Sequence, residues 1–278
     1  MTQVKSLVSM RSPLKWAGGK KKVINDIANL LPTKGKIRLV EPFVGGGSVF
    51  LNLDFDEYLL MDMNKDLINL FNIIKNKPTE FIADAQKFFN GYSNQPEQYY
   101  DFRKQFNQST DSYERSLLFL YLNRHGYNGL CRYNKTGGYN VPFGRYKHPY
   151  FPEKELAYFS EKAQKATFMQ GDFETAFSQL RTEDVVYCDP PYSPINRTSN
   201  FTAYAGNSFT DEDQLRLVNC AEIARSKDIP TLISNHYVDF TRELYKEANK
   251  KKLFQVQRSI SQKGKGRIKV KEILALYK

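Results

Sequence analysis

Asp189-Pro190-Pro191-Tyr192 carries more chemistry than any other short string in the sequence. It closes a Val-rich run, residues 184–188, that has the pattern of a buried strand. Two successive prolines fix φ twice and remove two backbone donors, leaving carbonyls with no competing amide hydrogens. Asp189 and the Pro190 carbonyl can then each accept one hydrogen of an exocyclic amino group, while Tyr192 offers a flat face for a base. An amine conjugated to a purine is a poor nucleophile, because its lone pair is delocalised into the ring. Two acceptors on its hydrogens draw the nitrogen toward tetrahedral geometry and stabilise the positive charge that grows during attack. Asp189, Pro190, Pro191 and Tyr192 are therefore the candidate catalytic residues.

A second constellation lies upstream. Gly45, Gly46 and Gly47 follow a short β-rich run that ends at Phe43, and glycine both tolerates positive φ and lets a ligand approach the backbone. Asp62, fifteen residues past Gly47, ends the next apolar run, where a carboxylate can accept both hydroxyls of a ribose. A dinucleotide fingerprint needs a small residue at position 50; Phe50 stands there, which argues against a dehydrogenase. An ordinary tight turn with a capping aspartate is the plain alternative. Lys15-Trp16-Ala17-Gly18-Gly19-Lys20 lacks the spacing of a phosphate-binding loop. Its Trp16, the only tryptophan, either fills the core or closes over a ligand beside Lys20.

These residues need a scaffold, and the hydrophobic patterning supplies one. Short strands are expected over residues 38–43, 57–63, 184–188 and 229–234, with a final antiparallel pair over 253–260 and 272–277. Helices are expected over 48–53, 64–75 and 211–226. Between residues 77 and 165 the strand signal nearly vanishes. Amphipathic stretches at 78–89 and 98–106 precede an apolar helix over 116–122, which Asp111 and Glu114 open as a capping box. Residues 126–146, rich in Gly, Tyr, Val and Phe, read as an exposed hairpin. The simplest architecture is an open α/β sheet, with ligands at the carboxyl ends of its strands, interrupted by a helical recognition insert. Residues 193–207, long and polar, read as a mobile loop that orders over a ligand.

The charge is unevenly spread. The 278 residues have a formal charge of +11. Residues 246–278 hold eleven Lys or Arg against two acids, and residues 103–147 hold eight against two. The second stretch is interleaved with Tyr127, Tyr133, Tyr139, Phe143 and Tyr146, a mixture suited to phosphates and bases. A merely solvated positive surface is the bland reading. At 41% hydrophobic and 14% aromatic the chain can build a large core. No apolar run approaches the ~18 residues of a membrane helix, and no secretory leader is expected. Cys131, Cys188 and Cys220 form no CxxC pair, so neither a disulfide framework nor a metal site is expected. The expectation is a cytoplasmic, monomeric, basic protein.

Taken in order, Lys15 to Lys20, Glu41-Pro42-Phe43-Val44-Gly45-Gly46-Gly47, the stretch 123–134, the stretch 141–146 and Asp189-Pro190-Pro191-Tyr192 resemble the Dam-type DNA adenine methyltransferases. The resemblance covers nearly the whole chain past its first residues. It implies a Rossmann-like methyltransferase sheet, mostly parallel with a C-terminal antiparallel hairpin, over residues 1–63 and 166–278. The inserted helical DNA-recognition domain, with its β-hairpin loop, would then be residues 64–165. It also implies S-adenosylmethionine as donor and the exocyclic nitrogen of a flipped-out adenine in GATC of double-stranded DNA as acceptor.

Roles follow by the same resemblance. Trp16, Lys20, Phe43, Gly45, Gly47, Asp62, Asp172, Phe173 and Asp189 belong to the cofactor pocket, with Asp62 on the ribose and Phe173 near the adenine. Asp189 and Pro190 hold the target amine over Tyr192. Lys15, Leu130, Arg132 and Pro142 read bases, Tyr127 wedges into the duplex, and Arg124, Asn128, Asn134, Arg145 and Tyr146 complete the DNA-binding set. Flipping an adenine costs a few kcal/mol, and a wedge can fill the gap it leaves. The forked guanidinium of Arg132 suits a guanine. Two other classes stay open: a non-catalytic DNA-binding relative, against which Asp189 and Tyr192 count, and a cytosine-amine or RNA methyltransferase of similar fold.

Overall fold

The computed structural model describes residues 10–195, 209–257 and 269–278. The expected loop lies outside the described residues from 196 onward, as do Arg258, Lys263, Lys265 and Arg267 of the basic C-terminal stretch. Among the described residues seven strands form one sheet: β1 (Arg38–Glu41), β2 (Glu57–Asp62), β3 (Ala166–Gln170), β4 (Asp184–Cys188), β5 (Thr231–His236), β6 (Lys250–Gln257) and β7 (Lys269–Tyr277). Their order is β3-β2-β1-β4-β5-β7-β6. The first five are parallel, and β7 runs antiparallel to both β5 and β6. The helices are α1 (Ile24–Leu30), α2 (Lys65–Asn76), α3 (Pro78–Gln86), α4 (Pro96–Gln108), α5 (Ser112–His125), α6 (Glu153–Ala163), α7 (Phe173–Phe177), α8 (Asp211–Arg225) and α9 (Asp239–Leu244). None is long and apolar enough to cross a membrane.

Strand alternation builds two cores. Leu39, Leu60, Val185, Tyr187, Leu232 and Leu274 face one way and join the buried residues of α2 to α6. Val40, Met61, Val186, Cys188, Ile233 and Ala275 face the other way and meet α7 and α8. Strands covered on both faces read as continuous apolar runs, which is why β1, β2 and β4 stand out in the sequence. At the amino ends of β1 and β4, Arg38 donates from Nε and Nη2 to the two oxygens of Asp184 at 2.8 and 2.6 Å. Both are buried, so removing one partner would strand a charge at a cost of about 3–5 kcal/mol. That bidentate pair fixes the register of the strands whose far ends carry the site.

Four local expectations need correction. Residues 48–53 form successive turns rather than a helix. Val49, Phe50, Leu51 and Leu53 are all buried there, leaving no polar face for a helix to present. The loop over 126–146 folds back on itself through two isolated antiparallel bridges, Gly126 to Phe143 and Tyr133 to Tyr139, without regular strands. It is also less exposed than expected, because Tyr139 and Val141 are buried in the larger core. Asp111 caps α5 by accepting from the Glu114 amide at 2.7 Å, but Glu114 does not reciprocate. Its carboxylate accepts instead from Gln105 and Ser109. Finally, β3 stands where no strand is expected: Ala-Thr-Phe-Met-Gln has two polar residues in five, as a short edge strand tolerates.

Candidate active site and nucleic-acid face

β4 delivers Asp189 to the carboxyl edge of the sheet, and β5 alongside it supplies the support. The parallel pairing of Cys188 with Ile233 brings Ser234 beside Asp189. Ser234 Oγ donates to Asp189 Oδ1 at 2.9 Å and accepts from Tyr187 Oη at 3.0 Å. Asp189 Oδ2 lies 2.6 Å from Lys20 Nζ, which also donates to the Gly18 carbonyl at 2.6 Å and sits 5.0 Å from the centre of the Tyr192 ring. The carboxylate is thus clamped from both sides.

The rest of the corner is held from behind. Gln214 donates to the Pro191 carbonyl at 2.9 Å, and Asn235 accepts from the Ser193 amide at 3.0 Å. His236 Nδ1 lies 2.8 Å from the Ser193 carbonyl, and its ring meets Tyr192 edge-on at 4.8 Å. None of these contacts uses the Pro190 carbonyl. Sequence reasoning missed Ser234, Asn235, His236 and Gln214. The available signal was the polar Ser-Asn-His at the carboxyl end of an apolar strand, the edge where such sheets bind ligands. Glu41, in the motif that leads into the glycine turn, has no role assigned by the resemblance. It is 2% exposed, and burial, reinforced by the nearby charge of Asp189, raises its carboxyl well above the ordinary range.

The glycine turn meets β2 at Asp62. Its two carboxylate oxygens accept from the amides of Gly45 at 3.0 Å and Asn64 at 2.9 Å. Burial raises its pKa, and those backbone donors oppose the rise. Gly45 and Gly47 have φ of +47° and +74°. A Cβ on Gly45 would lie 2.8 Å from Trp16 Nε1, and one on Gly46 would lie 2.8 Å from Trp16 Cβ. The indole packed on the turn therefore demands these glycines, in addition to any ligand. Phe43 stacks on Phe173 at 5.6 Å, Phe209 meets both edge-on, and the Arg216 guanidinium lies 4.9 Å from the Phe173 ring centre. Asp172 caps α7, accepting from the Glu174 amide at 3.0 Å, and lies 3.3 Å from Arg216 Nη2.

Lys15 ties this edge to α5 and to the loop that follows it. Its backbone amide donates to Asn123, and Asn123 Nδ2 donates back to its carbonyl, each at 2.8 Å. Lys15 Nζ lies 3.6 Å from the Tyr146 ring centre and donates to the Arg124 carbonyl at 3.1 Å. Burial first, and Arg124 second, lower its pKa to about 8. Tyr146 Oη accepts from the Asn128 amide at 2.9 Å, and the Pro142 carbonyl accepts from the Tyr127 amide at 2.9 Å. Asn128, at φ +53°, thrusts Tyr127 outward, where it is 43% exposed. Gly129 has no room for a side chain, since a Cβ there would fall 2.1 Å from that of Lys15.

Arg132 donates from Nε to Asn140 Oδ1 at 2.7 Å and from Nη2 to the Asn140 carbonyl at 2.9 Å. One edge of the guanidinium is thereby fixed, and the Nη1 hydrogens are not used by Asn140. Leu130 is half-buried, and its carbonyl accepts from Tyr139 Oη. Asn134 Oδ1 gathers the Thr136 and Gly138 amides and so shapes the loop tip. Arg145 is exposed at φ +54°. Arg124 is different. It is 8% exposed, its Nε donates to the Tyr150 carbonyl, and it packs on the Tyr150 ring. The structure therefore places Arg124 as an interior brace rather than on the surface. Cys131, expected in an exposed loop, accepts from Asn64 Nδ2, and burial pushes its thiol up to about 12.

A doubly wound sheet that carries a glycine turn, a strand-end carboxylate and the Asp-Pro-Pro-Tyr corner at its carboxyl edge, beside a basic aromatic loop, has the layout of an α/β enzyme that takes its ligands at that edge. The chain belongs to the D12 class N6 adenine-specific DNA methyltransferases, whose family model matches residues 16–260. It is 53% identical over 268 residues to a DNA adenine methylase of Vibrio cholerae, with 96% of each chain covered. It is 54% identical over 268 residues to that of Escherichia coli K12, covering 96% of this chain and 95% of the relative. Against the Haemophilus influenzae DNA adenine methylase the identity is 50% over 276 residues, covering 99% and 96%. The protein is an adenine-specific DNA methyltransferase.

Proposed function

We propose that the enzyme transfers a methyl group from S-adenosylmethionine to the exocyclic nitrogen of an adenine flipped out of double-stranded DNA, with GATC as its site. The observation that carries this reading is the doubly clamped Asp189 beside Tyr192 and a Pro190 carbonyl that takes no hydrogen bond among the described residues, one short segment away from Lys15 on the DNA face. The donor fits the residues present. A carboxylate offers about four lone-pair sites, and the two amide bonds to Asp62 leave capacity for a vicinal diol. The Phe43–Phe173 stack gives an adenine an aromatic neighbour, while Trp16 packs on the glycine turn and Lys20 pairs with Asp189.

When bound, the cofactor supplies a sulfonium methyl already activated for transfer. The protein supplies placement and charge. Asp189 and the Pro190 carbonyl accept the two amine hydrogens, orienting the nitrogen lone pair across the corner. Because Ser234 and Lys20 have already fixed the carboxylate, little reorganisation is required as positive charge grows on the nitrogen. Tyr192 faces the base, and its ring is held by His236. In the insert, residues 64–165, Tyr127 fills the gap left by the flipped base, while Lys15, Leu130, Arg132 and Pro142 read its neighbours. Exposed Asn128, Asn134 and Arg145, with Tyr146, hold the strands.

Incubating unmethylated plasmid with the purified protein and S-adenosylmethionine tests this reading. Protection from a nuclease that GATC methylation blocks, with N6-methyladenine as the sole new nucleoside, is the expected outcome. Complete cutting while the cofactor still binds would favour a non-catalytic DNA-binding protein.

A further inference from the structure

The loop that carries Arg132 is anchored at both neighbouring residues, and both anchors are at the amino end of α2, one its N-cap and the other in its first turn. On one side, Asn64 Nδ2 donates to Cys131 Sγ at 3.4 Å. On the other, Tyr133 Oη donates to Asp66 Oδ2 at 2.7 Å. Asp66 is 8% exposed, and Arg115 holds its carboxylate through Nε at 2.9 Å and Nη2 at 2.8 and 3.0 Å. Arg115 is fixed in turn by the carbonyls of Phe106 and Ser109. Asn64 belongs to the same frame: its amide donates to Asp62, and its side-chain oxygen caps α2 by accepting from Asp66 and Leu67.

A hydroxyl on a buried, arginine-neutralised carboxylate is a stiff, charge-assisted tether. Here it joins the peptide carrying a base-reading side chain to the helix turn that starts beside Asp62, the carboxylate assigned to the cofactor ribose. We propose that Tyr133, held by Asp66, is a specificity-positioning residue: it sets where Arg132 stands relative to the methyl-transfer site. Tyr133 touches neither base nor cofactor in this assignment and acts only through Arg132. The inference rests on Arg132 being a base reader.

The test measures kcat/KM, and separately equilibrium DNA affinity, on the preferred duplex and on duplexes altered at one base pair at a time. Tyr133→Phe removes only the hydroxyl. Its discrimination at the single base pair read by Arg132 should fall roughly tenfold, the loss expected for one charge-assisted hydrogen bond, while kcat on the preferred duplex changes little. Cys131→Val, which removes the other tether, should relax discrimination at the same pair. Tyr113→Phe deletes a similar bond elsewhere in the insert, from Tyr113 Oη to Asp84 at 2.9 Å, and should leave discrimination unchanged. An equal loss on every duplex, or none, in both Tyr133→Phe and Cys131→Val would overturn the proposal. Should Arg132→Ala itself leave every base-pair preference intact, the base-reading assignment falls first, a separate and recognisable failure.

Discussion

Replacing Asp189 with alanine is expected to lower kcat by at least about 10²–10³-fold, or about 2.7–4 kcal/mol, while cofactor binding survives. The size follows from what is removed: one of two acceptors aimed at the charge that develops on the amine. The structure adds a second consequence. Lys20, whose side chain is 7% exposed, loses its partner at 2.6 Å, so a drop in thermal stability should accompany the loss of turnover. Single-turnover rates together with calorimetric titration of the cofactor separate the two effects. Substantial retained turnover would remove Asp189 from the mechanism.

Arg132→Ala should cost about 1–3 kcal/mol of discrimination at one base pair, roughly 5–150-fold, without weakening binding uniformly. Asn140 grips one edge of the guanidinium at 2.7 and 2.9 Å, which pre-orients the fork and lowers the entropy lost when it meets a base. Comparing kcat/KM across single-base-pair variants of GATC measures the effect. A uniform fall over all variants, with a shallower salt dependence, would make Arg132 a phosphate contact instead.

Much of the positioning frame could be read from residue order. The five-residue β4 is buried on both faces and is followed by Asp189 and two prolines, so strand and corner announce each other. Asn64 stands where an N-cap should, and α2 starts behind it. What sequence patterning could not carry is lateral proximity. Ser234 acquires its role only because β5 runs parallel beside β4, and Gln214 reaches Pro191 from a helix on the opposite side of the sheet from α2. Charge counts fail for a related reason. Arg115 and Arg124 sit within the basic aromatic stretch, yet one is tied up by Asp66 and the other by a carbonyl. A cation's type predicts affinity for phosphate, but only its surroundings show whether that affinity is already spent internally.

Glycine motifs show the same ambiguity. Gly45 and Gly46 were expected to admit a ligand, and the indole of Trp16 fills the space beside them. The two readings are compatible, because Trp16 packs against the turn while the Gly45 amide on the same turn donates to Asp62. Glu41 illustrates the opposite failure. A buried acid in an apolar strand has no helical or strand periodicity to mark it, and its raised pKa follows from burial first and the charge of Asp189 second.

The central claim is that the corner after β4 grips the amine of an extrahelical adenine. A crystal structure of the protein with a GATC duplex and a non-reactive analogue of the methyl donor tests it most directly. The account predicts an unstacked adenine over Tyr192, its amine nitrogen within hydrogen-bond distance of both Asp189 and the Pro190 carbonyl, and Tyr127 in the vacated stack. A target adenine still paired within the helix, with Asp189 and Pro190 turned away from it, would contradict the account.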